Sequence, residues 1–261
     1  MKIHRDLKAK LQSGGVVVGT WMSIPHIMAA ETLAQGGFDF LLLDGEHAPV
    51  SVDVVGSLLT ATDLFGTPVI YRVRSNSDDL IKAALDAGAA GIMVPMVNSV
   101  ADAERAVGAA KYPPRGHRGI GPWRVSNYYA DYLNCVAESN SATSVVLQIE
   151  SPAAVEAISD IAAVQSVDVL YVGPADLAAS MGLPIGQLHP KLMDALSKVA
   201  TAVRKQNKIA AIDVVSIEYA RRFVELGFSF FTYGIDTSYL MDGARAASDQ
   251  FRQNVSSRRG E

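Results

Sequence analysis

The chain has 261 residues, 49% of them hydrophobic and 19% charged, which supplies ample apolar surface for a core and lacks the charge excess of a disordered chain. A formal net charge of −4 and the lack of any long Lys/Arg run argue against nucleic acid or a membrane surface as partner. The single cysteine, Cys135, excludes an internal disulfide and a cysteine-built zinc site, and suits a reducing compartment.

Met1 to Leu11 carries alternating charges where a signal peptide would have an apolar segment, and no apolar run approaches the roughly 20 residues of a spanning helix. A cytoplasmic location is therefore expected. Eight short apolar runs follow: Val16–Trp21, Phe38–Asp44, Pro68–Val73, Gly91–Val97, Ser144–Glu150, Asp168–Val172, Ile209–Asp213 and Phe228–Tyr233. Amphipathic segments of helical length separate them, the pattern of βα units whose parallel strands are buried on both faces. Glycines before the second, fourth and eighth runs, as in Asp86-Ala87-Gly88 and Glu225-Leu226-Gly227, suit left-handed helix ends. No Gly-rich phosphate turn follows the first run, which disfavours an open doubly wound sheet. The expected fold is a single-domain TIM (β/α)8 barrel over residues 1–253, with a polar tail at 254–261. The longest connection, about Tyr112 to Ser144, is aromatic around Trp123, Tyr128, Tyr129 and Tyr132. It reads either as a binding loop or as a packed excursion with one extra helix.

Barrel active sites lie where the strands end, because the βα loops converge there. The polar residues at those ends are Asp44, Glu46 and His47, then Arg72, Gln148 and Glu150, then Asp176 beyond Gly173-Pro174, and finally Asp213 and Asp236. Glu150 and Asp176, on neighbouring strands, can share a hard cation whose other positions go to water or substrate oxygens; equally, Asp176 can simply cap the next helix. Arg72 suits an anionic oxygen or a structural ion pair, and His47 is the natural general base. His4, His26, His117 and His189 read as surface or packing residues, although His26 follows the first strand and can reach the same mouth. By spacing, Asp86 ends the helix after the third strand, on the wrong face for direct metal binding within its own subunit, and reads as a solvated helix residue.

Taken together, the segments Leu41-Leu42-Leu43-Asp44-Gly45-Glu46-His47-Ala48-Pro49, Val94-Pro95-Met96-Val97, Lys111-Tyr112-Pro113-Pro114-Arg115-Gly116, Gln148-Ile149-Glu150 and Val172-Gly173-Pro174-Ala175-Asp176-Leu177 resemble the metal-dependent class II pyruvate aldolases of the HpcH/HpaI family. They appear in the family's order, from about Gly19 to Asp236. The resemblance implies metal ligation by Glu150 and Asp176, with Mg2+, Mn2+ or Co2+ as the cation. It implies substrate contacts at Arg72, Gln148, Gly173, Ala175 and Asp176; Trp21 and Arg124 are further candidate substrate contacts. It makes Arg72 the stabiliser of an enolate oxygen and His47 the proton-transfer residue. Asp86 then serves as a carboxylate that raises the basicity of His47, across a subunit boundary in a homohexamer, which reverses the reading from spacing. The implied reaction cleaves 4-hydroxy-2-oxo acids to pyruvate and an aldehyde, or forms them.

No lysine stands at a strand end as a Schiff-base aldolase needs. The stretch Pro122-Trp123-Arg124-Val125-Ser126-Asn127-Tyr128 departs from the smaller Ala- and Ser-rich segment of better-known relatives, and Arg124 either reads an acidic aldehyde or forms a salt bridge. Two other readings are a CoA-ester lyase of the malyl or citramalyl type and a catalytically silent oxo-acid-binding barrel. The first needs a basic cleft and extra C-terminal structure; the second should have lost a ligand or His47.

Overall fold

A computed structural model describes residues 2–255. Helix α1 (Lys2–Gln12) leads into β1 (Val17–Met22), α2 (Ile27–Ala34), β2 (Phe40–Asp44), α3 (Val52–Asp63), β3 (Val69–Arg72), α4 (Asp78–Asp86) and β4 (Gly91–Val94). Then come α5 (Val100–Ala110), α6 (Tyr132–Ala142), β5 (Ser144–Ile149), α7 (Pro152–Glu156), α8 (Ile158–Ala163), β6 (Val169–Val172) and α9 (Pro174–Ser180). The chain closes with α10 (Pro190–Lys205), β7 (Ile209–Val214), α11 (Ile217–Leu226), β8 (Phe230–Ile235) and α12 (Asp236–Val255). The strands pair in parallel in sequence order, and β8 pairs with β1 to close an eight-stranded barrel.

Each expected strand is present, with ends that move for local reasons. The fourth stops at Val94, because Pro95 has no N–H to continue the ladder. Helix α12 continues past the expected boundary at 253 to Val255, and positions 256–261 of the expected tail lie outside the described residues. Helices α4 and α11 do end at left-handed glycines, Gly88 at φ +106° and Gly227 at φ +102°. Among the described residues no helix is long and apolar enough to cross a membrane.

Two apolar layers result from strand alternation. Outward residues such as Leu41, Leu43, Ile92, Leu147 and Leu170 pack against the helices. Inward residues Val17, Phe40, Leu42, Ile70, Met93, Val146, Val169, Tyr171, Ala211 and Phe230 fill the barrel, and Leu7 and Leu11 of α1 join them. The charged N-terminal segment is thus an amphipathic helix packed on the barrel interior. Phe40 stacks on Phe230 at 4.3 Å, and this is possible because residue 19 is glycine: a Cβ there would lie 2.3 Å from the Phe40 ring.

Helix α1 also supplies a pH-sensitive contact. His4 is buried and its Nε2–H donates to the Gly88 carbonyl at 2.9 Å. Burial, the largest effect, lowers its pKa from 6.5 to about 4. The folded protein therefore holds His4 neutral between about pH 4 and 6.5 while the unfolded chain takes up a proton. Stability is unaffected above that window and falls as pH drops through it, by roughly 3 kcal/mol in total at about 1.4 kcal/mol per unit. Urea midpoints at pH 7 and pH 4.5 should fall further for the wild type than for His4→Gln. Equal losses in both would assign the acid sensitivity to other groups.

Candidate active site

Continuing the inward alternation past the apolar layers brings five of the eight strands to a polar side chain and β6 to a glycine. From Leu42 it reaches Asp44, from Ile70 Arg72, from Val146 Gln148 and Glu150, from Tyr171 Gly173, from Ala211 Asp213, and from Phe230 Thr232. Trp21 holds the corresponding place on β1. The site is the top layer of the barrel interior, so the register that packs the core also aims these side chains at one mouth.

Arg72 is at its centre and is buried. Asp44, its register partner across β2 and β3, accepts Nε–H at 2.9 Å and Nη2–H at 2.8 Å in a two-pronged pair. Glu46 lies 3.1 Å from Nη1, and the guanidinium carbon sits 4.3 Å from the centroid of the Trp21 ring. Burial works to raise the Asp44 pKa, but the hydrogen bonds and charge of Arg72 outweigh it and hold the carboxyl below its usual range. Asp44 Oδ1 also accepts the backbone N–H groups of Glu46 and His47, at 2.9 and 3.2 Å. One carboxylate therefore orients the arginine and folds the turn that carries the histidine. His47 projects into solvent with its side chain 68% exposed and Nε2 3.7 Å from Glu46 Oε2, open to a substrate hydroxyl.

The second cluster is carboxylate-rich. Glu150 is buried; its Oε1 accepts the Met96 N–H at 2.7 Å and its Oε2 accepts Gln148 Nε2–H at 2.5 Å. Met96 adopts φ +53°, a left-handed conformation uncommon for a side-chain-bearing residue, immediately after Pro95. Burial raises the Glu150 pKa, and the charges of Asp176 and Glu46 add to it. Gly173 marks where the cluster converges: a Cβ there would lie 3.1 Å from Gln148 Nε2, 3.1 Å from Glu150 Oε2 and 3.5 Å from Asp176 Oδ2. Asp176 lies in the first turn of α9, next to Ala175. Gln148 Oε1 is buried without a hydrogen-bond partner. Among the described residues no group of three or more His, Cys, Asp or Glu side chains surrounds a common point. What is present is a carboxylate pair, a glycine cradle and an unmatched buried amide oxygen. That donor set fits a hard cation with several positions left for water and substrate oxygens.

The remaining expected residues lie elsewhere. Asp86 ends α4 and pairs with Arg118 Nη2 at 2.5 Å; its backbone carbonyl also accepts Arg124 N–H at 3.2 Å. Of the two roles open to Arg124 the structure contains the salt bridge: Nη2 lies 2.5 Å from Asp63 Oδ2, and Nη1–H donates to the Ala87 carbonyl at 3.0 Å. The long connection carries one extra helix, α6, and joins α5 to the start of β5, which puts it at the N-terminal rim. Within one chain, then, the structure brings neither Asp86 to His47 nor Arg124 to the mouth. Spacing likewise put Asp86 away from this mouth, but as a solvated residue, whereas its side chain is only 20% exposed and is paired with Arg118. Asp236 is also structural: its carboxylate accepts the N–H groups of Ser23 and Ile24, both at 2.8 Å, tying α12 to the loop after β1. His26 and His189 cap α2 and α10, and His117 pairs with Asp78 at the surface. The structural ion pair open to Arg72 is present, with Asp44 and Glu46 as its partners; two contributors were not anticipated, the Met96 N–H and the hold of Asp213 on Trp21. Val94-Pro95-Met96 carried a signal for the first only in its proline.

Residues 18–243 match the HpcH/HpaI aldolase/citrate lyase family. The chain belongs to that family. A hydroxypyruvate/pyruvate aldolase of Pseudomonas aeruginosa is 39% identical over 94% of this chain and 92% of its own length. A 4-hydroxy-2-oxo-heptane-1,7-dioate aldolase of Salmonella dublin is 36% identical over 94% and 93%. Among solved structures, an HpcH/HpaI aldolase/citrate lyase family protein from Burkholderia cenocepacia J2315 superposes with a TM-score of 0.89 at 33% identity, covering 95% of this chain and 99% of that one. As an HpcH/HpaI family member the chain shares a near full-length barrel with its relatives, which gives the clustered residues at the mouth a chemical context.

Proposed function

We propose that this protein is a divalent-metal-dependent aldolase that cleaves, or in reverse forms, 4-hydroxy-2-oxo acids, with pyruvate and an aldehyde as products. The observation that carries the reading is the juxtaposition of the Glu150, Asp176 and Gln148 cluster with a buried, fully oriented Arg72 at one barrel mouth. Names of relatives support it, since both of those aligned over nine-tenths of their length are aldolases of 2-oxo acids.

Glu150 and Asp176 would hold the cation, with Mg2+ or Mn2+ favoured and Co2+ an alternative. Bound there, it supplies Lewis-acid polarisation of the 2-oxo group and neutralises developing negative charge. Arg72 contributes from the side: Asp44 and Glu46 hold its guanidinium in place before substrate arrives, so it meets an enolate oxygen without reorganising. Gln148, Gly173 and the backbone of Ala175 border the space in which the oxo acid lies, and Gly173 keeps it open because any side chain there would crowd the carboxylates. His47, exposed at the rim on a turn fixed by Asp44, takes the proton from the C4 hydroxyl in cleavage and returns it in synthesis. Breaking the C3–C4 bond releases the aldehyde and leaves the enolate to be protonated to pyruvate.

We also propose assembly as a homo-oligomer, a hexamer by family resemblance, in a reducing compartment such as the cytoplasm. Support comes from α12, where only Asp236 is buried while Leu240, Met241 and Phe251 are exposed, and from the exposed Trp123, Tyr128 and Leu133 of the opposite rim. In such an assembly one subunit's rim can carry Asp86 and Arg124 toward a neighbour's mouth.

The experiment is pyruvate release from a panel of 4-hydroxy-2-oxo acids bearing neutral, hydroxylated and carboxylated tails, with the mass of the same sample read by light scattering. Release from at least one substrate, by a particle several times 27.8 kDa, is expected. No release from any of them would shift the assignment to a CoA-ester lyase or a silent barrel.

A further inference from the structure

One polar cluster at the mouth, half-buried at Trp21 and Asp213 and buried at Tyr171 and Thr232, has no part in the chemistry above. Asp213 Oδ1 accepts hydrogen bonds from the Trp21 indole N–H at 2.9 Å and from the Thr232 hydroxyl, with the Tyr171 hydroxyl oxygen 3.5 Å away. The Tyr171 and Thr232 oxygens are themselves 2.5 Å apart. Tyr171 and Thr232 are fully buried inward residues of β6 and β8. Among the described residues no cation pairs with Asp213 directly, and burial pushes its carboxyl pKa up. A half-buried carboxylate with no cation against it costs desolvation that its neutral hydrogen-bond donors only partly offset.

The cluster fixes the Trp21 indole. That ring meets Tyr171 edge-on, with centroids 6.3 Å apart and planes at 89°, and is anchored at its nitrogen by Asp213. Its face lies under the Arg72 guanidinium at 4.3 Å. Asp44 and Glu46 constrain the edge of the guanidinium, and Trp21 is the surface against its plane. We propose that Asp213 is a positioning residue which, by holding the Trp21 indole, sets the tilt of Arg72 at the reaction centre. Thr232, whose oxygen is backed by the Tyr171 hydroxyl, is the donor that keeps Asp213 Oδ1 aimed at the indole. Asp213 need not touch substrate for this role.

The catalytic part of the inference rests on the aldolase reading; the link from Asp213 to Trp21 does not. The chain has two tryptophans, so a Trp123→Phe background isolates the emission of Trp21. In that background Asp213→Leu, which removes the acceptor, should shift the Trp21 emission maximum and lower kcat for pyruvate release by about tenfold or more, with KM changing less. Asp213→Asn keeps a carbonyl oxygen for the indole and should restore both. In a Trp21→Phe background Asp213→Leu should cost no more than about a further twofold, because its route to Arg72 is already gone. Asp213→Ala carries the same expectations if the leucine variant does not fold. Unchanged kcat and emission in Asp213→Leu would overturn the proposal, as would an asparagine variant as impaired as the leucine one, or a full penalty persisting without Trp21. If the wild type releases no pyruvate at all, the aldolase reading fails, and the emission of the Leu and Asn variants still decides whether Asp213 holds the indole.

Discussion

Glu150→Ala is expected to reduce pyruvate release by about 10³-fold or more, since several kcal/mol of charge stabilisation in the transition state depend on the cation it would hold. The loss should appear in kcat, and calorimetric titration with Mn2+ should show cation binding weakened or lost. The fold should survive. Glu150 already sits at a disadvantage, with burial and the Asp176 and Glu46 charges opposing its ionised form, so its removal relieves repulsion even as it leaves the Met96 N–H without its acceptor. Thermal melting alongside the titration separates the two effects. A variant that melts like the wild type, binds Mn2+ like the wild type and retains activity would remove Glu150 from the site.

Arg72→Lys should cost about 10²- to 10³-fold in kcat although the charge is kept. Lysine cannot reproduce the two-pronged contact with Asp44, reach Glu46 simultaneously, or present a flat face to Trp21. Its ammonium would follow Asp44 instead of being held at the enolate position. Mn2+ affinity should be unchanged, because Arg72 pairs with Asp44 and Glu46 and the substitution keeps the positive charge. The variant therefore separates charge from orientation: near wild-type kcat would mean that a positive charge alone suffices and that the pre-arranged fork has no catalytic role.

The barrel was legible because two regularities survive in sequence. Buried parallel strands are short apolar runs, and their alternation carries the inward face to Asp44, Arg72, Gln148 and Glu150. What escaped depended on contacts between distant segments. The charged N-terminus gave no hint that Leu7 and Leu11 would meet the barrel interior, because the partner surface comes from β-strands spread along the chain. Arg124 left two roles open, and its ion pair with Asp63 spans 61 positions. Asp213 looked like another strand-end carboxylate; that it would hold Trp21 follows from β7, β8 and β1 being adjacent only after closure. Asp86 is a mixed case: spacing put it away from the mouth of its own barrel, as it is, but as a solvated residue, and the covered ion pair with Arg118, 32 positions on, was not visible there; a catalytic role for it needs a second subunit.

Metal dependence is the central claim and is tested most directly by exhaustive chelation followed by add-back. Enzyme stripped until elemental analysis finds no transition metal or magnesium should release essentially no pyruvate from its best 4-hydroxy-2-oxo acid, and Mg2+ or Mn2+ should restore the rate in wild type but not in Glu150→Ala. Full activity in verified metal-free enzyme would contradict the account and require the enolate to be stabilised by Arg72 and other protein groups alone.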